Sequence, residues 1–171
     1  TGEDEVDPDG MSMTPPRASG RRGKAPPPAP DKYHLYELSV TSPDHMARFL
    51  YALHGGKPRV LGEDFSGAAA IARGWVRSRK GLRAVAADLD AEVVARAGAA
   101  NGLRTIASDV MKVRDKAGII AATNFPICYW HTRRDLTRYL RHVRRRLNRR
   151  GIFVADIYGG PHALRTSRRT K

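Results

Sequence analysis

Disulfides, membrane-spanning helices and a dinucleotide fingerprint are all missing from this sequence. Cys128 is the single cysteine, so no intrachain disulfide can form. A reducing compartment, by default the cytoplasm, is the expected location. No run of about 18 apolar residues occurs, so no spanning helix and no membrane partner is expected. The N-terminus is acidic and lacks a basic stretch followed by an apolar one, so no secretion signal is read. The six histidines and Cys128 show no metal-ligand spacing, and no metal site is expected. Acidic charge is also scarce, with 17 Asp and Glu against 31 Lys and Arg.

What is present is one domain's worth of chain: 171 residues, of which 41% are hydrophobic, enough to bury a core. The net charge of +14 is uneven. Residues 1–30 carry four basic and five acidic side chains, residues 31–131 fourteen and ten, and residues 132–171 thirteen and two. The basic excess therefore lies in the last 40 residues. Such a block attracts phosphate backbones and other polyanions, and a solvated Arg-rich helix face gives the same excess. Nucleic acid is thus a candidate partner for this C-terminal region.

Residues 1–30 hold seven of the eleven prolines and almost no aliphatic or aromatic side chains. That composition points to a disordered tail. The folded part, 31–160, starts with a short helix over Lys32–Val40, on the spacing of Tyr33, Tyr36 and Val40. A second helix follows Ser42-Pro43-Asp44, with Met46, Phe49, Leu50 and Leu53 on one apolar face and Gly55-Gly56 ending it. Strands then alternate with helices. Strands are expected at Arg59–Gly62, Leu82–Ala87, Thr105–Ala107, Gly118–Ala122 and Gly151–Ile157. Helices are expected at Ala68–Val76, Glu92–Ala100 and Thr132–Leu147. In the last, Thr132 and Asp135 form a capping-box-like start. Its buried stripe is Leu136, Tyr139, Leu140, Val143 and Leu147, with Arg134, Arg138, Arg141, Arg145 and Arg149 away from it. Alternation of this kind predicts an α/β fold with an open, mostly parallel sheet and flanking helices. Residues 161–171 are basic and patternless, and read as a second disordered tail.

Three strand ends carry an acid and then a loop: Glu63/Asp64, Asp88/Asp90 and Asp109. Carboxylates at the carboxyl ends of adjacent parallel strands face one crevice, where such sheets bind ligands. There a carboxylate can accept ribose hydroxyls or an amino N–H. Asp is also a favoured helix cap, so each acid alone has a structural explanation. Three in succession favour a nucleoside-like ligand. Asn124-Phe125-Pro126 ends the fourth strand, with Tyr129 and His131 nearby as candidate base or orienting groups.

Val60-Leu61-Gly62-Glu63-Asp64-Phe65-Ser66-Gly67-Ala68-Ala69 resembles the first motif of class I S-adenosylmethionine-dependent methyltransferases. Val85-Ala86-Ala87-Asp88-Leu89-Asp90 resembles the second, Ser108-Asp109-Val110 the third, and Asn124-Phe125-Pro126 stands in place of the fourth. The resemblance implies a Rossmann-like sheet, methyl transfer and S-adenosyl-L-methionine as cofactor. It implies Glu63, Phe65 and Gly67 near the amino-acid part of the cofactor, Asp88 on the ribose and Leu89 against the adenine. Asp109 and Val110 would meet the adenine amino group and ring, and Asn124 would edge the transfer site. Tyr33 and Tyr36 are candidates to close over the methionine end. Phe65 and Ala69 stand where the family's loop has its outer two glycines, and Gly118 where it often has an acid. No Gly-x-Gly-x-x-Gly and no P-loop occurs, which argues against a nicotinamide-dependent oxidoreductase.

The family's sheet has seven strands, and five are found. The resemblance therefore implies a chain cut short after the fifth strand, with cofactor binding more robust to that loss than turnover. The acceptor and the oligomeric state are not legible. A non-catalytic nucleoside- or RNA-binding module using the Arg-rich helix and tail is the alternative reading.

Overall fold

A computed structural model describes residues 31–33, 35, 39 and 42–160. These all belong to one compact unit, Asp31–Lys171. The expectations for the tails 1–30 and 161–171, and for Tyr36, lie outside the described residues. In chain order the elements are α1 (Pro43–His54), β1 (Val60–Asp64), α2 (Ala70–Ser78), β2 (Arg83–Asp88), α3 (Ala91–Ala95), β3 (Leu103–Ala107), β4 (Ala117–Ala122), α4 (Arg133–Arg146) and β5 (Leu147–Ala155). Single 3₁₀ turns occupy Val110–Lys112 and Pro126–Tyr129. Residues 32, 33, 35 and 39 are also helical, as the Tyr33 spacing suggested. No helix among the described residues is long and apolar enough to cross a membrane.

The strands form one sheet in the order β3-β2-β1-β4-β5, with every pair parallel. The order reverses between β1 and β4, and loops leaving those two strands diverge there to leave a crevice. The sheet is covered on both faces, as parallel sheets require. On one face α1 and α2 pack Ala47, Leu50, Ile71, Ala72 and Trp75 against Leu61, Ala84, Ala86, Ile119 and Ala121. On the other, α4 packs Tyr139 and Val143 against Ala87, Ala117 and Ile120. β4 is buried along its whole length, which explains its unbroken run of small and aliphatic residues.

Several boundaries differ from expectation for visible reasons. Ser42 holds the cap position of α1, but its hydroxyl makes no capping bond. Phe49 and Leu53 are about half exposed, and Ala47 and Leu50 are buried instead. The crossing with α2 sets that face: a Cβ on Gly74 would lie 2.8 Å from the Pro43 carbonyl oxygen. α3 is only five residues long and unwinds before Gly98, which adopts a left-handed φ of +66°. α4 ends at Arg146 because Leu147 already pairs with Ala117 as the start of β5. β5 then takes five steps, Leu147 to Ile152, where β4 takes two, so it bulges before resuming register.

The face of α4 also departs from its apolar pattern. Leu140 is 40% exposed, whereas His142 and Arg146 are buried. Arg146 runs under β1 and grips the buried Asp64 carboxylate at 2.8 and 2.9 Å. The Tyr139 hydroxyl donates to the same carboxylate at 3.0 Å. Gly62 leaves room for this: a Cβ there would meet the Arg146 guanidinium at 3.4 Å. Desolvation pushes the Asp64 carboxyl above its ordinary range, and Arg146 and Tyr139 pull against it. Removing one partner of such a pair strands the other charge in the core. Arg146→Met is expected to cost about 3–5 kcal/mol in urea unfolding. Adding Asp64→Asn, which keeps an acceptor for Tyr139, should recover most of it. A single variant within 1 kcal/mol of wild type would show that the pair contributes little.

Candidate functional site

A cavity of about 780 Å³ opens at the carboxyl edge of the sheet, where β1 and β4 diverge. Glu63, Phe65, Gly67, Asp88, Leu89, Asp109, Val110 and Asn124 all line it, drawn from the ends of four strands. Tyr33, Tyr129, Trp130, Thr123 and Lys32 complete much of the wall. Its size falls within the usual range for small-molecule sites.

The loop after β1 is built on backbone that glycine adopts most easily. Phe65, Gly67 and Ala69 have φ of +58°, +52° and +56°. The two positions where the sequence resemblance expects glycine therefore keep glycine's conformation without its freedom. Each costs on the order of 1–2 kcal/mol. The ring of Phe65 offsets this by packing edge-on to Tyr139, with centroids 5.7 Å apart, and stacking near Tyr129 at 6.3 Å. The Gly67 N–H donates to Asp88 Oδ2 at 2.8 Å, and the Asp90 N–H to Asp88 Oδ1 at 3.0 Å. Asp88 thus joins the ends of β1 and β2. A carboxylate has about four acceptor positions, so among the described residues Asp88 keeps one free on each oxygen.

The other acids separate by role. Asp109 Oδ1 accepts from the Met111 N–H at 2.8 Å, capping the turn after β3 and leaving Oδ2 without a protein donor among the described residues. Asp90 accepts from the Glu92 and Val93 N–H groups and caps α3; it does not line the cavity. Asp64 faces away into the Arg146 pair, as the alternation of a strand requires beside Glu63. His131 is exposed and lies off the cavity wall, while Tyr129 is on it.

Glu63 is 4% exposed. Its Oε2 accepts the Ala72 N–H at 2.8 Å, in the first turn of α2, whose own cap residue Ala69 has no side-chain acceptor. Burial pushes its carboxyl up from 4.5 to about 8, with the Ala72 N–H and Arg73 pulling the other way. Glu63 is thus a proton-bearing group on the cavity wall at neutral pH.

The loop after β4 is the second strained segment. Asn124 and Phe125 have φ of +68° and +64°, unusual for a bulky residue such as Phe125. Asp156, just beyond β5, holds both: it accepts the Asn124 N–H at 3.0 Å and the Phe125 N–H at 2.7 Å. The sequence reading missed Asp156, although an acid following a hydrophobic strand was visible. It also missed Trp130, which stacks on Tyr139 at 5.3 Å and lines the cavity. Tyr33 reaches the cavity because Arg96, at the end of α3, lies over its ring at 4.2 Å and pairs with Asp31.

No protein-family model matches the chain, and no curated protein matches it. Its structure is similar to solved structures. One is an S-adenosylmethionine-dependent methyltransferase from Clostridium acetobutylicum, with a TM-score of 0.62, 18% identity, and 73% of this chain covering 55% of that one. DesVI from Streptomyces venezuelae gives 0.64, 13%, 77% and 58%. Magnesium protoporphyrin IX methyltransferase from Synechocystis, solved with bound S-adenosylmethionine, gives 0.52, 11%, 63% and 53%. This chain spans little more than half the length of each. Its fold is the Rossmann-like fold of class I S-adenosylmethionine-dependent methyltransferases.

The raised Glu63 carboxyl has a measurable sign. Between pH 4.5 and about 8 the unfolded chain has lost this proton and the folded chain keeps it, so stability falls as pH rises through that window. Glu63→Gln keeps an acceptor for Ala72 and removes the titration. Its stability relative to wild type is expected to grow by about 1.4 kcal/mol per pH unit across the window, read by urea unfolding at several pH values. A constant difference would show that Glu63 ionises normally.

Proposed function

We propose that the chain binds S-adenosyl-L-methionine in this cavity and transfers its methyl group to an acceptor. One observation carries the reading: the ends of β1, β2, β3 and β4 bring eight residues to one cavity at the switch point, with Asp88 and Asp109 each holding unused carboxylate acceptor positions. The residues fit the group. Asp88 would take the two ribose hydroxyls on its free positions while its other lone pairs hold the loop. Asp109 Oδ2 would accept the adenine amino group. Leu89 is 77% exposed and lines the cavity, where an adenine ring could pack on it. Val110 supports the other side of that slot. Glu63, Phe65 and Gly67 lie toward the amino-acid end, and Asn124 toward the acceptor.

When bound, the cofactor supplies a sulfonium methyl: the acceptor lone pair forms the new bond, sulfur leaves as the neutral thioether, and any acceptor proton goes to water. The protein's share is alignment and exclusion of water. The loop after β1, pinned by Asp88, and the loop after β4, pinned by Asp156, fix the two walls between which donor and acceptor must line up. Trp130 and Phe65 form an apolar wall beside them. With one cysteine and no disulfide, a reducing cytoplasm suits the reading.

Calorimetric titration with S-adenosylhomocysteine tests this. Binding in the micromolar range is expected, weakened about 100-fold or more by Asp88→Ala, since a charged hydrogen-bond acceptor is lost from a site built around it. A folded wild-type chain that does not bind would overturn the reading.

A further inference from the structure

The outward face of α4 is built almost wholly of arginine. At 100° per residue, Arg133, Arg134, Arg138, Arg141, Arg144 and Arg145 fall within an arc of about 140°, and Thr137 is the only other residue in it. All six are exposed, and Arg149 and Arg150 extend the patch along the bulged start of β5, exposed as well. A solvated helix face normally interleaves opposite charges at i,i+3 and i,i+4. Here the one acid on α4, Asp135, reaches Arg138 at 3.8 Å. Among the described residues no carboxylate lies within ion-pair distance of the other five. Like charges so spaced repel, so the face is matched to a polyanion rather than to itself.

The patch begins at the cavity. α4 starts three residues after Trp130, and Tyr129, 70% exposed, lines the same wall. Phe125 and Tyr158, 46% and 65% exposed, meet edge to face at 6.2 Å just beyond the strand ends. Exposed rings and a basic surface are what an unstacked base and its backbone require. Arg134 to Arg145 spans about 16 Å, room for several phosphates of one strand. The chemistry fits an anionic membrane less well, because the apolar stripe of α4 is packed on the sheet and Leu140 is its one exposed large apolar side chain.

We infer that α4 and the ring cluster of Tyr129, Phe125 and Tyr158 bind a single-stranded nucleic acid, phosphates along the arginines and bases on the rings, and that nucleic acid is the acceptor class. The acceptor assignment rests on the methyl-transfer reading above; the binding surface does not.

Fluorescence anisotropy of the full chain with a short fluoresceinated oligouridylate, between about 50 and 200 mM salt, tests it. Tight, salt-dependent binding is expected. Arg134→Gln/Arg138→Gln/Arg141→Gln/Arg145→Gln should lower the slope of log K against log salt by about 3 and weaken binding at least about tenfold. Tyr129→Ala should weaken it about tenfold at unchanged slope. Circular dichroism confirms that each variant folds. No binding, an unchanged slope in the arginine variant, no effect of Tyr129→Ala, or tighter binding to polyglutamate or phosphatidylglycerol vesicles would overturn the inference. S-adenosylhomocysteine titration of the same preparation separates the two claims. Cofactor binding without RNA binding removes this inference alone. RNA binding without cofactor binding removes the acceptor assignment and leaves the surface.

Discussion

The buried link from Asp64 to Arg146 and Tyr139 ties the central strand to the helix that backs one wall of the site. Here a charge lies fully inside the fold with a charged partner. Its geometry fixes the rotation of α4 against β1. That rotation decides which side of α4 faces water, and so gathers the arginines outward. It also places the Tyr139 ring where Phe65 and Trp130 pack on it. His142 is buried beside this pair, where burial and Arg146 hold its imidazole below the ordinary value, and Val110 packs in one apolar cluster with Tyr139 and Val143 of the same helix. The wall of the cavity at Val110 and the wall at Trp130 thus rest on the same helix.

Strain gathers at the two strand ends that flank the switch point. Left-handed backbone at Phe65 and Ala69 follows β1, and at Asn124 and Phe125 it follows β4. Such conformations persist only where the surroundings over-determine them. The restraints are visible: Asp88 on the Gly67 N–H, and Asp156 on two successive N–H groups. Asp88 therefore does two jobs, fixing the loop while lining the cavity, whereas Asp156 holds its loop from off the cavity wall.

Much of this was legible from the sequence because periodicity and strand-end acids are local signals. Strand–helix alternation marked the parallel sheet, and all eight residues singled out from the strand ends line one cavity. What could not be read depends on contacts far apart in the chain. The burial of Arg146, which the sequence reading left unassigned, depends on Asp64, 82 positions away in the chain. Leu140, Phe49 and Leu53 looked buried on apolar spacing alone, but the crossing angles of α1 and α4 leave them exposed. Asp90, open to either reading in the sequence, is a cap, because both uses ask for an acid at a strand end. The positive φ at Phe65 and Ala69 was marked only by the family resemblance, which expects glycine there, and not by the residues themselves.

The central claim is that these strand ends form one cofactor cavity. Amide hydrogen exchange of the chain with and without S-adenosylhomocysteine addresses it most directly. The account expects slowed exchange in the loops after β1, β2 and β3, around Gly67, Asp88–Asp90 and Asp109–Met111, with α1 unchanged. Protection elsewhere, or none at saturating ligand, would contradict it.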